Sequence, residues 1–162
     1  MLRRLDAWFA LGLVALDQFT KALVVRHLAL HESVTLVPGL LDLTHVRNTG
    51  AAFGMLNAVD FPYKAAVITA LALAALAAIA MFAGRLGSES PLARAGMTLV
   101  VAGAVGNLID RARQGYVVDF VDVYWGTTHF WAFNIADAAI TIGAILVLLD
   151  MIGLGRHASH SV

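Results

Sequence analysis

The sequence predicts an all-α membrane bundle of four transmembrane helices with a small β-structured layer on one side. Three observations predict it. Of 162 residues, 60% are hydrophobic and 14% charged, with a mean hydropathy of +0.79; a soluble domain has about 45–50% apolar and about 25% charged residues. Four apolar segments approach the length of about 20 residues at which a helix crosses a bilayer. Two of the connections between them are β-branched and partly alternating, which is strand patterning.

The first segment, residues 7–25, is interrupted by DQFTK at 17–21. MLRR before an apolar run has the form of a targeting signal. Asp17, Gln18 and Lys21 fall inside that run, however, and no small-x-small cleavage site follows, so an uncleaved span is expected. In SVTLVPGLLDLTHV (33–46), polar and apolar residues partly alternate around Pro38-Gly39, which predicts a hairpin at the membrane surface. GAAFGMLNAVDFPYK (50–64) is small, aromatic and turn-rich, and is expected to lie along the interface. The second span, 65–83, has Thr69 as its sole polar side chain. The third, 92–109, carries Gly103 and Gly106 with Ala102 and Ala104, small residues that let helix backbones approach closely. YVVDFVDVYW (116–125) is a second strand candidate. The fourth span is 131–149, and the whole of 1–162 reads as one domain.

Lys+Arg and Asp+Glu balance at 11 each, which gives no electrostatic reason for a nucleic-acid partner. Zero cysteines exclude disulfides, a thiol nucleophile and thiolate metal sites. For orientation, Arg3, Arg4, Arg85, Arg94 and Arg156 lie on one side, and Arg26, Arg47, Lys64, Arg111 and Arg113 on the other. The numbers tie, but the first group sits in much shorter segments, and that density favours both termini in the cytoplasm.

A carboxylate at mid-bilayer depth costs about 2.5–3.5 kcal/mol on insertion scales, so acids inside the spans need a reason. With both termini inside, Asp17 and Lys21 lie in the outer half of the first span, at i and i+4, with the acid first, the favourable order. The third span ends outside with Asn107, Asp110 and Arg111. The fourth starts outside, with Asn134 and Asp137 in its first two turns and Asp137 roughly 8 Å below the helix start. Three spans thus bring polar groups to one depth, while the inner halves offer almost nothing comparable. An ion pathway needs polar groups through the full thickness; a site served from one face does not. The pattern is the second, and predicts a water-accessible pocket at the outer surface. A small polytopic transporter or proton-coupled subunit is the competing reading.

Two other chemistries fit poorly. HLALHE (27–32) has histidines at i and i+4, but its glutamate follows them, whereas a zinc-peptidase helix needs it between them. A serine–lysine pair needs a serine near Lys21 or Lys64, and Ser33 stands in no motif.

Five blocks, DQFTK (17–21), RNTGAAFG (47–54), GAVGNLIDR (103–111), VVDF (117–120) and FNIADAAI (133–140), together resemble the signature blocks of the lipoprotein signal peptidase (signal peptidase II) family. The resemblance implies an aspartyl endopeptidase of the bacterial cytoplasmic membrane. It removes signal peptides from diacylglyceryl-modified prolipoproteins, cutting just before the lipidated cysteine. The catalytic pair then falls on Asp119 and Asp137. Supporting roles fall on Asp17, Lys21, Asn48, Gly50, Asn107, Asp110, Arg111 and Asn134. The family fold adds an outer β-cradle and a surface helix to four spans. Its partners are lipid-modified precursors and membrane lipids; the resemblance implies a monomer with no metal or cofactor. One departure is Trp131, where the family usually has proline.

Each residue also has a plainer reading. Asp137 near a helix N-terminus is where the dipole favours an anion. Asp119, taken without the resemblance, is not distinguished from Asp122 or Asp110. In a strand over 116–125 Asp119 and Asp122 point to opposite faces, so one faces the fourth helix and Asp122 is expected to make an outer, structural contact. Asp17 with Lys21 is read as an intrahelical ion pair. Asp110 and Arg111 are read as ties from the third helix to the outer layer. Asn48, Asn107 and Asn134, donors and acceptors at once, suit either holding the carboxylates or binding an extended substrate.

Overall fold

The computed structural model describes residues 4–50, 59, 61–85 and 90–153. The expected interfacial segment, 50–64, lies largely outside these residues, as do positions 51–54 of the second signature block. Among the described residues are four helices, α1 (Arg4–His27), α2 (Lys64–Arg85), α3 (Pro91–Gln114) and α4 (Ile135–Met151). Four strands accompany them, β1 (Ser33–Val37), β2 (Leu41–Asn48), β3 (Val117–Trp125) and β4 (Thr128–His129). Among the described residues, Asp6–His27 and Pro91–Gln114 are long and apolar enough to cross a bilayer, and Ala66–Ala75 is a shorter apolar helical stretch. Trp8, Phe19, Leu71 and Leu148 are each more than half exposed on the helices. Lipid, not water, is the solvent that tolerates so broad an apolar surface.

α3 is the central element and packs on α1, α2, α4 and β3. Ser90 caps its start, Pro91 pre-sets the first turn, and Gly115 ends it in a left-handed conformation (φ +79°). Glycine explains the closeness of α3 to α4. A Cβ at Gly96 would sit 2.6 Å from the Gly143 carbonyl oxygen, and one at Gly103 would collide with the Ala136 carbonyl.

The strands form one antiparallel sheet in the order β1-β2-β3-β4. Pro38-Gly39 turns β1 into β2, with Gly39 at φ +78°, so the hairpin and strand read from the sequence are both present. Val118 and Phe120 pack on Val24 and Leu28, joining the sheet to the last turn of α1 and the residue beyond it. His45 is buried beside them, its Nδ1 3.0 Å from the Leu28 carbonyl oxygen.

One expectation is corrected. The fourth helix begins at Ile135 and not at residue 131, because residues 130–133 stay extended against β3. Phe133 exchanges backbone hydrogen bonds with Val121 (3.0 and 2.8 Å), and Phe130 donates to Val123 (2.7 Å). Trp131 therefore stands in extended chain, 60% exposed. Polar groups also close the opposite end of the bundle, mostly beyond the spans read from the sequence. Asp150 is buried and accepts from the Ser90 hydroxyl, and Arg94 pairs with Asp6 at 3.3 Å. These contacts tie helix ends together, where backbone groups need capping.

Adding a single methyl at the α3–α4 contact tests this packing. Gly103→Ala should lower stability by about 1–3 kcal/mol through overpacking, read as a lowered thermal unfolding midpoint in detergent. Gly12→Ala, where nothing lies within 4 Å of the new carbon, should show no such loss.

Candidate active site

α4 starts with a reciprocal cap. The Asn134 Oδ1 accepts from the Asp137 backbone N–H (2.9 Å), and the Asp137 carboxylate accepts from the Asn134 N–H (3.2 Å). Asp137 thus belongs to the first helical turn, not one turn deeper as the expected helix start implied. Asn134 is 0% exposed, and its Nδ2 donates to Asp119 Oδ1 at 2.7 Å. One asparagine therefore holds both carboxylates, one through its side-chain amide and the other through its backbone.

The remaining oxygens are also occupied. Asn48 donates to Asp119 Oδ2 (2.9 Å), and Asn107 to Asp137 Oδ1 (2.7 Å). The β2–β3 register explains the first bond: Asn48 pairs with Val117, so it shares a face with Asp119 two residues on. Gly50 donates its N–H to Asn48 Oδ1 and accepts from Arg111 Nη2 (2.9 and 3.0 Å). Burial foremost, and then the Asp137 charge, push the Asp119 carboxyl up to about 7 against the pull of its two amide donors.

Beneath the pair lies a buried ionic cluster. Lys21 Nζ reaches Asp17 (2.9 Å), Asp110 (3.0 Å) and Asn107 Oδ1 (2.9 Å), spending all three donors. Asp17 also accepts from the Ala136 N–H (3.0 Å), so an acid of α1 caps α4. Asp110 accepts from the Val118 N–H (3.1 Å), fixing β3 next to Asp119. Gly106 is required here, since a Cβ would stand 2.7 Å from the Asp17 carboxylate.

All ten residues singled out in the sequence thus meet in one network. Asp110 and Arg111 both tie the third helix to the outer layer, though through separate partners. Asp122 makes its contact outside this network, with His129 Nδ1 at 2.8 Å. Glu32 of HLALHE folds back on the Ala29 N–H (2.7 Å). The sequence reading missed Gln18, which donates to Asp110 Oδ1 (2.9 Å) and the Gly106 carbonyl (3.2 Å). Its place beside Asp17 in DQFTK, three residues before Lys21 on the helix, was the available signal.

A groove of about 580 Å³ runs between α2, α3 and α4. Ile68, Leu71, Val100, Ala104 and Ile140 are among its apolar walls, and Asn48, Asn107, Arg111 and Asp137 line its polar part. Joined carboxylates beside an apolar groove in a membrane-type bundle define an aspartic-type membrane hydrolase. Residues 9–153 match the family described as signal peptidase (SPase) II. The chain is 50% identical to the lipoprotein signal peptidase of Geobacter metallireducens over 90% of its own length and 89% of the relative's. It is 45% identical to that of Geobacter sulfurreducens, over 88% of each chain. A solved bacterial membrane enzyme superposes with a TM-score of 0.77 at 29% identity, covering 97% of this chain and 93% of the other. The chain belongs to the signal peptidase II family.

Lys21 is the cation that makes the acid cluster tolerable. Lys21→Met should destabilise the protein by about 3–5 kcal/mol, because it strands buried charge, and thermal unfolding in detergent checks it. Arg4→Met, at an exposed position, should leave the midpoint unchanged.

Proposed function

We propose that Asp119 and Asp137 are the catalytic pair of an endopeptidase that cuts lipid-modified prolipoproteins just before the lipidated cysteine. The carrying observation is Asn134 hydrogen-bonded to both carboxylates beside the apolar groove. Two acids this closely linked do not both ionise readily and share one proton. The ionised member takes a proton from the attacking water as its oxygen bonds to the scissile carbonyl carbon. The protonated member gives its proton to the carbonyl oxygen. Collapse of the tetrahedral intermediate breaks the C–N bond: the leaving nitrogen takes the proton drawn from water, and a hydroxyl of the intermediate returns its proton to the other carboxylate, which restores the shared proton. Such acid–base assistance contributes about 10²–10⁴-fold.

The remaining roles follow from the contacts. Asn48, Asn107 and Asn134 orient the carboxylates; Asp17, Lys21 and Asp110 fix the elements that carry them; Arg111 and Gly50 close the polar part of the groove. In this reading all four helices span the cytoplasmic membrane as one domain, working as a monomer with both termini cytoplasmic and the sheet outside. The apolar walls then receive the signal-peptide helix and acyl chains of the precursor, and the scissile bond meets the carboxylates at the surface. A transporter needs polar groups along its path, whereas Thr141 is the one polar side chain among the groove-lining residues away from the Asn48, Asn107, Arg111 and Asp137 end.

The test is incubation of purified protein with a lipidated precursor peptide and its unlipidated twin. Only the first should be cut. Asp119→Asn and Asp137→Asn should each abolish cleavage with the thermal midpoint retained; full activity in either variant would overturn the pair. For pH, a proton held by a group titrating at about 7 is lost as pH rises through that value. Turnover should therefore decline above about pH 7. Fold stability should already fall between the ordinary aspartate range and about 7, where the unfolded chain alone ionises at this position.

A further inference from the structure

On a different face of α3 from the groove, a second cleft of about 380 Å³ opens between the last turns of α1 and α3. Lys21, Asp110 and Val118 are among its lining residues, with Ala22 and Val25 on its α1 side, and Arg26 and Arg113 line it too, beside the amides Gln18 and Gln114. Among the described residues no ion pair engages Arg26 or Arg113, and both are exposed. A basic residue in each last turn offsets its own helix dipole. The packing of α1 on α3 brings one arginine from each last turn to the same cleft.

Formal charge narrows the ligand. Asp17 and Asp110 exceed Lys21 by one negative charge, and the two arginines exceed that by one positive charge. A singly charged anion closes the balance, whereas a doubly charged one overshoots. A phosphodiester carries one charge, and two guanidinium forks match its non-bridging oxygens. Ala22 and Val25 are exposed beside them, on a helix apolar enough to lie in lipid, so acyl chains have a surface to follow. We propose that this cleft binds the phosphodiester headgroup of an anionic phospholipid through Arg26 and Arg113. The site is separate from the peptidase groove, and its occupancy is read without any cleavage.

The experiment is native mass spectrometry of the full chain released from bilayers of mixed phosphatidylglycerol and phosphatidylcholine. Phosphatidylglycerol should be retained selectively. Arg26→Gln and Arg113→Gln should each lower its retention about fivefold, in line with the usual contribution of one basic residue near an anionic surface. Arg4→Gln, at the opposite end of α1, should retain it fully, and unfolding midpoints should confirm that all variants are folded. Equal losses in all three variants, or no preference over phosphatidylcholine, would overturn the proposal. So would full displacement of the lipid by an equal concentration of inorganic phosphate, which would assign the cleft to the free anion.

Discussion

The structure depends on how several carboxylates are kept inside a membrane-type bundle with few cations. Asp17, Asp110 and Asp119 are 1%, 4% and 2% exposed, and Asp137 adjoins them. Burying even one unpaired charge costs several kcal/mol. Lys21 compensates Asp17 and Asp110 directly, and Arg111 acts electrostatically on Asp137, Asp119 and Asp110. Two cations against four acids leave an excess of negative charge at the Asp119–Asp137 end. A retained proton is the remaining way to reduce it, and Asp119 titrating at about 7 is that retention. In the proposed mechanism, the charge imbalance of the scaffold and the acid used for hydrolysis are one and the same feature.

The same hydrogen bonds set the geometry. Asp17 binds the Ala136 N–H, Asp110 binds the Val118 N–H, and Phe133 pairs with Val121. Thus α1 holds the start of α4, α3 holds β3 one residue before Asp119, and β3 holds the chain one residue before Asn134. The two acids come from segments distant in sequence, yet each is anchored at an adjacent backbone amide. Hydrogen bonds keep to narrow ranges of distance and angle, so this anchoring limits where the two side chains can sit.

How much of this was legible in the sequence follows from what the membrane makes rare. In an apolar chain each polar side chain is conspicuous, and helical spacing alone brought Asp17, Lys21, Asn107, Asp110, Asn134 and Asp137 to one depth. Asp119 was not separable from Asp122 by composition. The β2–β3 register, which puts Asn48 on the same face as Asp119, is a tertiary fact. Gln18 does not share the i, i+4 face of Asp17 and Lys21, and its bonds to Asp110 and the Gly106 carbonyl depend on how α1 packs against α3. Asp150 was missed at the edge of the fourth span. The helix start moved from 131 to Ile135 because FWAF satisfies its backbone through the sheet, and apolar periodicity does not distinguish extended from helical apolar chain over so few residues.

The alanine-rich α2 has a role its composition alone does not suggest. It packs on α3 and supplies one wall of the groove through Ile68, Leu71, Ala72 and Ala75. Ala104 of α3 and Ala144 of α4 line the other walls. Bundle interiors normally fill such space with large side chains, because close packing is what stabilises them. Here alanine on all three helices leaves it open, at the cost of dispersion contacts that only an apolar occupant restores. The helices and the groove therefore favour the same kind of ligand that the proposed catalytic pair requires: an apolar chain whose one polar segment ends beside Asp137.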